Sequence, residues 1–301
     1  MLQIIHHRRI FYTISGILFC ASILALVLWQ LKLGIDFTGG SLLQIEFKNE
    51  RPVNDFIKEK IAGLDLGEVS IQPLGEKGAI LKFKDIDEET HQRILSELGG
   101  QDVLEEKSFE SVGPVIGQEL KKRAIYAIVI VLLMIVIYIA WAFRKVSKPV
   151  ASWQYGLAAI GALLHDVVIP TGFFAVLGHF MGVEIGLLFV TALLTILGFS
   201  VHDTIVVFDR IRENLRKSVA NTFEDVVEIS INQTLVRSIN TSLVVLLTLL
   251  AVFLFGGESV KYFSLVLIMG LFFGTYSSIF IASPLLVSWE KFRQKRASRR
   301  R

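Results

Sequence analysis

The stretch Gly198-Phe-Ser-Val-His-Asp-Thr-Ile-Val-Val-Phe-Asp-Arg-Ile-Arg-Glu-Asn214 begins in an apolar run of membrane-spanning length and ends in a dense charge cluster. Asp203 sits in its apolar part, where an ionisable group is costly and must either find a partner or carry charge for a purpose. Two His-Asp pairs, His165-Asp166 and His202-Asp203, fall in successive apolar runs, and Arg237 opens the next one. Asp203 and Arg237 each lie within about two helical turns of the charged end of their run, so they can meet at a similar depth. The chemistry this suggests is proton carriage. An acid that alternately meets and leaves a guanidinium releases and binds a proton as its helix moves. A proton falling through about 100 mV yields roughly 2.3 kcal/mol, enough to bias a conformational equilibrium on every cycle. Ser200 and Thr204 flank Asp203, and Asn240, Thr241 and Thr248 follow Arg237 on roughly one helix face, a polar stripe suited to holding water.

The same residues admit plainer readings. Asp203 can be a structural buried partner and Arg237 a snorkelling residue of the interface. Asp166, one turn before Pro170, is either a step of the proton path or a structural hydrogen-bonding group. His165 reads first as a packed neighbour, and so does His202, although its place beside Asp203 lets it join a relay. Neither His-Asp pair has the i, i+4 spacing of helical metal ligands, so no metal is assigned.

The elements that must position these groups are membrane helices. Hydrophobic residues make up 52% of the chain and mean hydropathy is +0.57, and several runs exceed the roughly 20 residues that span hydrocarbon. The expected spans are residues 10–31, 124–143, 150–177, 185–208, 238–255 and 262–289. The first follows His-His-Arg-Arg, is too long for a signal peptide and precedes no clear cleavage site, so it is read as a retained helix with a cytoplasmic N-terminus. The turn at 144–149, Arg210, Arg212, Arg216, Lys217 and the tail at 290–301 are basic, whereas the short turns at 178–184 and 256–261 carry one Lys between them. Positive-inside bias therefore places both termini in the cytoplasm, with Trp141, Trp153 and Trp289 near the inner ends. Residues 209–237 are expected to form a cytoplasmic segment. In it, Asn221-Thr-Phe-Glu224 starts an amphipathic helix that lies in the interface through Phe223, Val226, Val227, Ile231 and Leu235. The lone Cys20 allows no intramolecular disulfide.

Residues 32–123 are different in kind. Alternating segments at 41–47, 68–72 and 79–84, helical spacing at 53–61 and 88–98, and a last strand at 102–112 give the order strand-helix-strand-strand-helix-strand. That is the split pattern of a ferredoxin-like α+β domain, and because the first helix runs outward the domain is expected to be extracytoplasmic. The fold class is thus a polytopic α-helical membrane protein, with six transmembrane helices and one such domain between the first two. Gly34-Ile-Asp-Phe-Thr-Gly-Gly40, just past the first span, is rich enough in glycine to need tight turns at Gly34, Gly39 and Gly40 beside Asp36, and it lacks the Gly-Lys-Ser of a phosphate loop. Gly270 and Gly274 give the last span a small-xxx-small face whose partner helix can belong to this chain or another.

Four segments in order resemble the SecF branch of the SecD/SecF family of protein-export membrane proteins, in the resistance-nodulation-division group. They are Gly34–Gly40, Val112-Gly-Pro-Val-Ile-Gly-Gln-Glu-Leu120, Gly198–Asn214 and Gln233-Thr-Leu-Val-Arg-Ser238. The resemblance implies that Asp203 and Arg237 serve proton-coupled export, with no cofactor beyond the proton gradient and sodium as the alternative ion. It implies a SecD-type subunit supplying the other six spans, the SecYEG channel and YajC as further partners, unfolded preprotein chains as clients, membrane lipids around it and no nucleic acid. It places the chain in a bacterial inner membrane, with no enzymatic activity. One departure stands out: the family pattern Tyr-Ser-x-Asn-Asp here reads Phe199-Ser-Val-His202-Asp203. The rival readings are a proton-coupled solute exporter of the same superfamily, a passive scaffold, and an intramembrane aspartyl protease using Asp166 and Asp203. The last lacks the Gly-x-Gly-Asp context of such proteases.

Overall fold

The computed structural model describes residues 2–143 and 150–298, so the expected basic turn at 144–149 and the end of the tail at 299–301 lie outside the described residues. In chain order the elements are α1 (Arg8–Trp29), α2 (Ile35–Thr38), β1 (Gly40–Phe47), α3 (Asn54–Ile61), β2 (Ser70–Leu74), β3 (Gly78–Phe83), α4 (Glu88–Glu97), α5 (Gly100–Val103), β4 (Leu104–Val112), α6 (Pro114–Ala142), α7 (Ser152–Met181), α8 (Leu187–Arg216), α9 (Phe223–Phe255) and α10 (Glu258–Ser277). A π-helical turn, Ser278–Ala282, joins α10 to α11 (Ser283–Ser298). They divide into a unit of residues 33–126 and a unit of residues 1–32 with 127–301.

The smaller unit is a four-stranded antiparallel sheet in the order β2-β3-β1-β4, the ferredoxin-like arrangement expected. Inward residues of β1 and β3 (Leu43, Ile45, Phe47, Leu81, Phe83) meet Ile57 and Ile61 of α3 and Ile94 and Leu98 at α4. Asp87 caps α4 by accepting from the Thr90 amide at 3.0 Å. Hydrogen bonding from Thr90 holds its carboxyl below the usual carboxylate range. The first glycine signature forms α2 and the turn into β1. Gly39 has φ +77°, and a Cβ there would lie 2.7 Å from Cα of Pro114. On the other side of this contact, a Cβ on Gly117 would lie 2.9 Å from the Gly39 amide nitrogen. The two signature segments around residues 34–40 and 112–120 are therefore halves of one close backbone contact.

Among the described residues, six helices are long and apolar enough to cross a membrane. In α7, α8 and the α10–α11 helix, half of the apolar window is buried, whereas α1, α6 and α9 leave most of theirs exposed. Gly270 and Gly274 pack on α8 of the same chain, because a Cβ on Gly270 would fall 2.1 Å from Cδ1 of Ile196 and one on Gly274 3.1 Å from Cβ of Ser200. Trp153 and Trp289 meet edge to face at 5.2 Å.

Two expected boundaries change. The helix that carries the second span begins at Pro114, ten residues before the expected span, since a proline in the first helical position loses no needed hydrogen bond and the charged turns at 118–123 simply continue the helix. The expected interfacial helix and fifth span are one helix, α9, capped by the Thr222 hydroxyl on the Asp225 amide at 3.1 Å. No glycine or proline interrupts it, and its apolar face, with Val226, Val227 and Ile231 fully buried, packs into the bundle core rather than into lipid headgroups. Its polar side holds the N-terminal segment: the amides of Ile4 and Ile5 donate to Glu228 at 2.7 and 2.8 Å, and Arg8 pairs with Glu224 at 2.7 Å. Lys291 of α11 pairs with the same Glu224.

Three substitutions test these contacts by thermal unfolding of the detergent-solubilised chain. Gly270→Val is expected to destabilise by about 2 kcal/mol or more by overpacking against Ile196, whereas Gly156→Ala, with open space around it, leaves stability unchanged. Gly39→Ala is expected to cost about 1–3 kcal/mol from its left-handed backbone and its Pro114 contact.

Candidate functional site

Burying a carboxylate requires hydrogen-bond partners close by. Asp166 of α7 is fully buried and has three: His165 Nδ1 at 2.9 Å from one oxygen, and the hydroxyls of Ser200 (α8) and Ser277 (α10) donating to the other at 2.5 and 2.7 Å. Asp203 of α8, 8% exposed, receives Thr275 of α10 at 3.2 Å and Ser242 of α9 at 3.5 Å on one oxygen, and those two hydroxyls bond each other at 2.6 Å. Next to both, Thr204 meets Ser278 at 2.8 Å. Ser278 opens the π-helical turn and its hydroxyl donates back to the Gly274 carbonyl at 2.9 Å. Such turns in an α-helix are frequent at functional sites.

The hydroxyl positions follow from helix geometry. On α9, Ser230, Thr234, Ser238 and Ser242 recur every fourth residue and all are buried, one stripe facing the bundle. On α10, the small Gly274 lets Ser200 of α8 come close enough to bond Asp166 across the helix contact. A hydroxyl can donate to a carboxylate or accept from a protonated acid, so this ring of Ser and Thr suits either state of each aspartate.

The structure brings together Asp166, Asp203, Ser200 and Thr204, and adds Ser242, Thr275, Ser277 and Ser278, which sequence reasoning missed. The four-residue spacing of 230, 234, 238 and 242 was the available signal. The stripe expected at Asn240, Thr241 and Thr248 faces outward instead, all three being exposed, with Thr241 and Thr248 bonded back to their own helix at Arg237 O and Val244 O. Thr241 and Thr248 lie about a quarter of a turn off the face of Ser238 and Ser242, and Asn240 about half a turn, a difference a mostly apolar helix does not reveal. His202 is exposed and hydrogen-bonds to neither aspartate. Arg237 is exposed and does not contact Asp203. It lines a cavity of about 270 Å³ between α8 and α9 with Val206, Asp209, Arg210, Glu213 and Gln233, and it lies five residues, about 7.5 Å of helix, before Ser242. Asp166 and Asp203 share no hydrogen bond, so the proton-sharing dyad of an aspartyl protease is not formed. Of the glycine-signature residues, Gly34 caps α2 and Asp36 lies in its first turn.

Comparison with known proteins follows the same layout. The family model of the protein export membrane protein SecD/SecF C-terminal region matches residues 92–292, and the SecD/SecF GG motif matches residues 30–50. The protein translocase subunit SecF of Thermobaculum terrenum is 46% identical, with 96% of this chain aligned to 94% of that protein. The protein of the same description from Anaerolinea thermophila is 40% identical over 96% of this chain and 94% of its own length. Among solved structures, SecDF of Thermus thermophilus, described as a translocon-associated membrane protein, superposes with a TM-score of 0.81 at 30% identity over 95% of this chain. SecDF in a super-membrane-facing form gives 0.71 at 30% identity over the whole chain. This chain spans 38% and 40% of those two SecDF chains. The bundle with its buried aspartates, the glycine-signature contact and the ferredoxin-like insert are features of a multi-pass membrane protein that belongs to the SecD/SecF family of protein-export membrane proteins, in its SecF branch.

Proposed function

We propose that this chain is a subunit of the protein-export machinery that uses proton flow, together with a SecD-type subunit, to drive late steps of preprotein translocation. The observation that carries the reading is Asp203: a nearly buried carboxylate whose hydrogen bonds, among the described residues, come from hydroxyls, with the cationic Arg237 about one and a half turns before Ser242 on the helix that supplies one of them. In the arrangement seen here the hydroxyls of Thr275 and Ser242 serve the protonated acid. When α9 shifts relative to α8, Arg237 replaces them, and a guanidinium, which only donates, serves the carboxylate alone. Each exchange binds or releases one proton and moves α9. Protons leave through the cavity lined by Asp209, Arg210 and Arg237. Asp166, on α7, shares the α10 hydroxyl cluster and forms the second station; sodium is the other ion this oxygen-rich site can be tested with.

Six spans are half of a pseudo-symmetric transporter, and the SecDF chains are more than twice as long as the part this chain matches. A SecD-type partner supplies the remainder. The SecYEG channel and YajC are the neighbouring assembly, and unfolded preprotein chains the clients of the ferredoxin-like domain. The chain sits in a bacterial inner membrane with both termini cytoplasmic. In support, residues 4–8 and Lys291 are both bonded to the start of α9, so the two ends of the bundle gather at one face.

Preprotein uptake by inverted vesicles carrying this chain and its partner, under an imposed proton gradient, tests the reading. Asp203→Asn and Arg237→Ala are each expected to lower gradient-dependent uptake at least roughly tenfold while leaving ATP-driven uptake intact. Full activity in Asp203→Asn would leave only a scaffold. In the same assay His202→Asn is expected to stay within about twofold of the wild type, because the exposed imidazole hydrogen-bonds to neither aspartate; a larger loss would bring it into the path.

A further inference from the structure

Of the titratable side chains in the ferredoxin-like domain, His91 of α4 is the buried one among the described residues, 4% exposed. Its ring lies flat on Phe109 of β4, centroids 3.8 Å apart and 6° from parallel. Nδ1 is 3.2 Å from an oxygen of Glu88, one turn back on the same helix, and Nε2 is 3.3 Å from an oxygen of Glu106 on β4. Nε2 is buried and makes no well-aligned hydrogen bond. These two carboxylates are the charged groups facing the ring. Lys107, next to Glu106 on the strand, turns to the other face and is held by Glu46 and Glu105, each at 3.0 Å, so it does not neutralise Glu106.

A neutral imidazole has one N–H and one bare nitrogen. With a carboxylate at each end, one contact of the neutral ring sets lone pair against lone pair, and only the imidazolium donates to both. We propose that His91 is a further proton-binding site of this protein, apart from the two aspartates, at which a bound proton clasps α4 to β4 through Glu88 and Glu106. Glu88 is prepared for that role, its carboxyl held below the usual range by a hydrogen bond from Gln92 and then by His91. The strand that is clasped runs through the single residue Gly113 into α6, so the proton acts on the segment that carries the domain into the membrane. This use of the site rests on the orientation given under the proposed function, which puts the domain on the side from which protons enter. The clasp is present at low pH and lost as pH rises.

Hydrogen exchange of the full chain in lipid nanodiscs, corrected for the intrinsic pH dependence, tests the site without any transport assay. Peptides covering α4 and β4 are expected to exchange at least about threefold more slowly at roughly pH 5.5 than at pH 7.5, while α3 and β2 show no such difference. His91→Phe keeps the ring stack but binds no proton, and it is expected to abolish the pH dependence; Glu106→Gln is expected to weaken it. Equal protection of α4 and β4 at both pH values in the wild type, or a dependence that survives in His91→Phe, would overturn the proposal. Neither result bears on whether Asp203 drives export, so the two readings fail separately.

Discussion

A carboxylate in hydrocarbon has to be solvated by the protein, and in this chain that requirement organises the bundle. Asp166 takes hydroxyls from α8 and α10 and Asp203 takes them from α9 and α10, and those hydroxyls reach them only because the helices approach closely. Gly270 and Gly274 are part of that solution, letting α10 lie against Ile196 and Ser200 of α8. The π-helical turn at Ser278–Ala282 sits at the same level. A helix that carries an extra residue in one turn has more than one way to satisfy its backbone, which suits a segment beside a site that changes charge.

The peripheral helices answer to a different constraint. α1, α6 and α9 keep most of their apolar surface exposed, as helices facing lipid or a partner's helices do, and yet α9 connects the site to the chain ends. Its first turns hold the N-terminal segment through Glu224 and Glu228, its middle carries Arg237, and its next turns carry Ser242. α9 is therefore one rod that both supplies a hydroxyl to Asp203 and is anchored to the N-terminal segment. Within the ferredoxin-like unit, the Gly39–Pro114 contact holds its two ends together.

Much of this was legible in the sequence, for physical reasons. A lone acid in an apolar run has few explanations, so Asp203 and Asp166 stood out, and alternation with turn residues gave the order of the α+β domain. The hydroxyl shell was not legible, because Ser and Thr occur in membrane helices for many reasons and carry little hydropathy signal. Which face of α9 turns inward was equally hidden: where nearly every residue is apolar, periodicity vanishes, and Asn240 and Thr241 drew attention away from Ser238 and Ser242. Residues 223–235 were misread as lying in the interface because a bundle core and a headgroup layer accept the same apolar face. The separation of Arg237 from Asp203 depends on side-chain direction, which spacing does not encode.

The central claim is that Asp203 gains and loses a proton as its hydroxyl partners are exchanged for Arg237. Infrared difference spectroscopy of the chain with its partner in proteoliposomes, triggered by a pH jump, reads that event directly. The account predicts a carboxylic-acid carbonyl band that disappears when the membrane is energised, is missing in Asp203→Asn, and persists without change on energisation in Arg237→Ala. A band that is absent from the wild type, or that responds identically in Asp203→Asn, would contradict it.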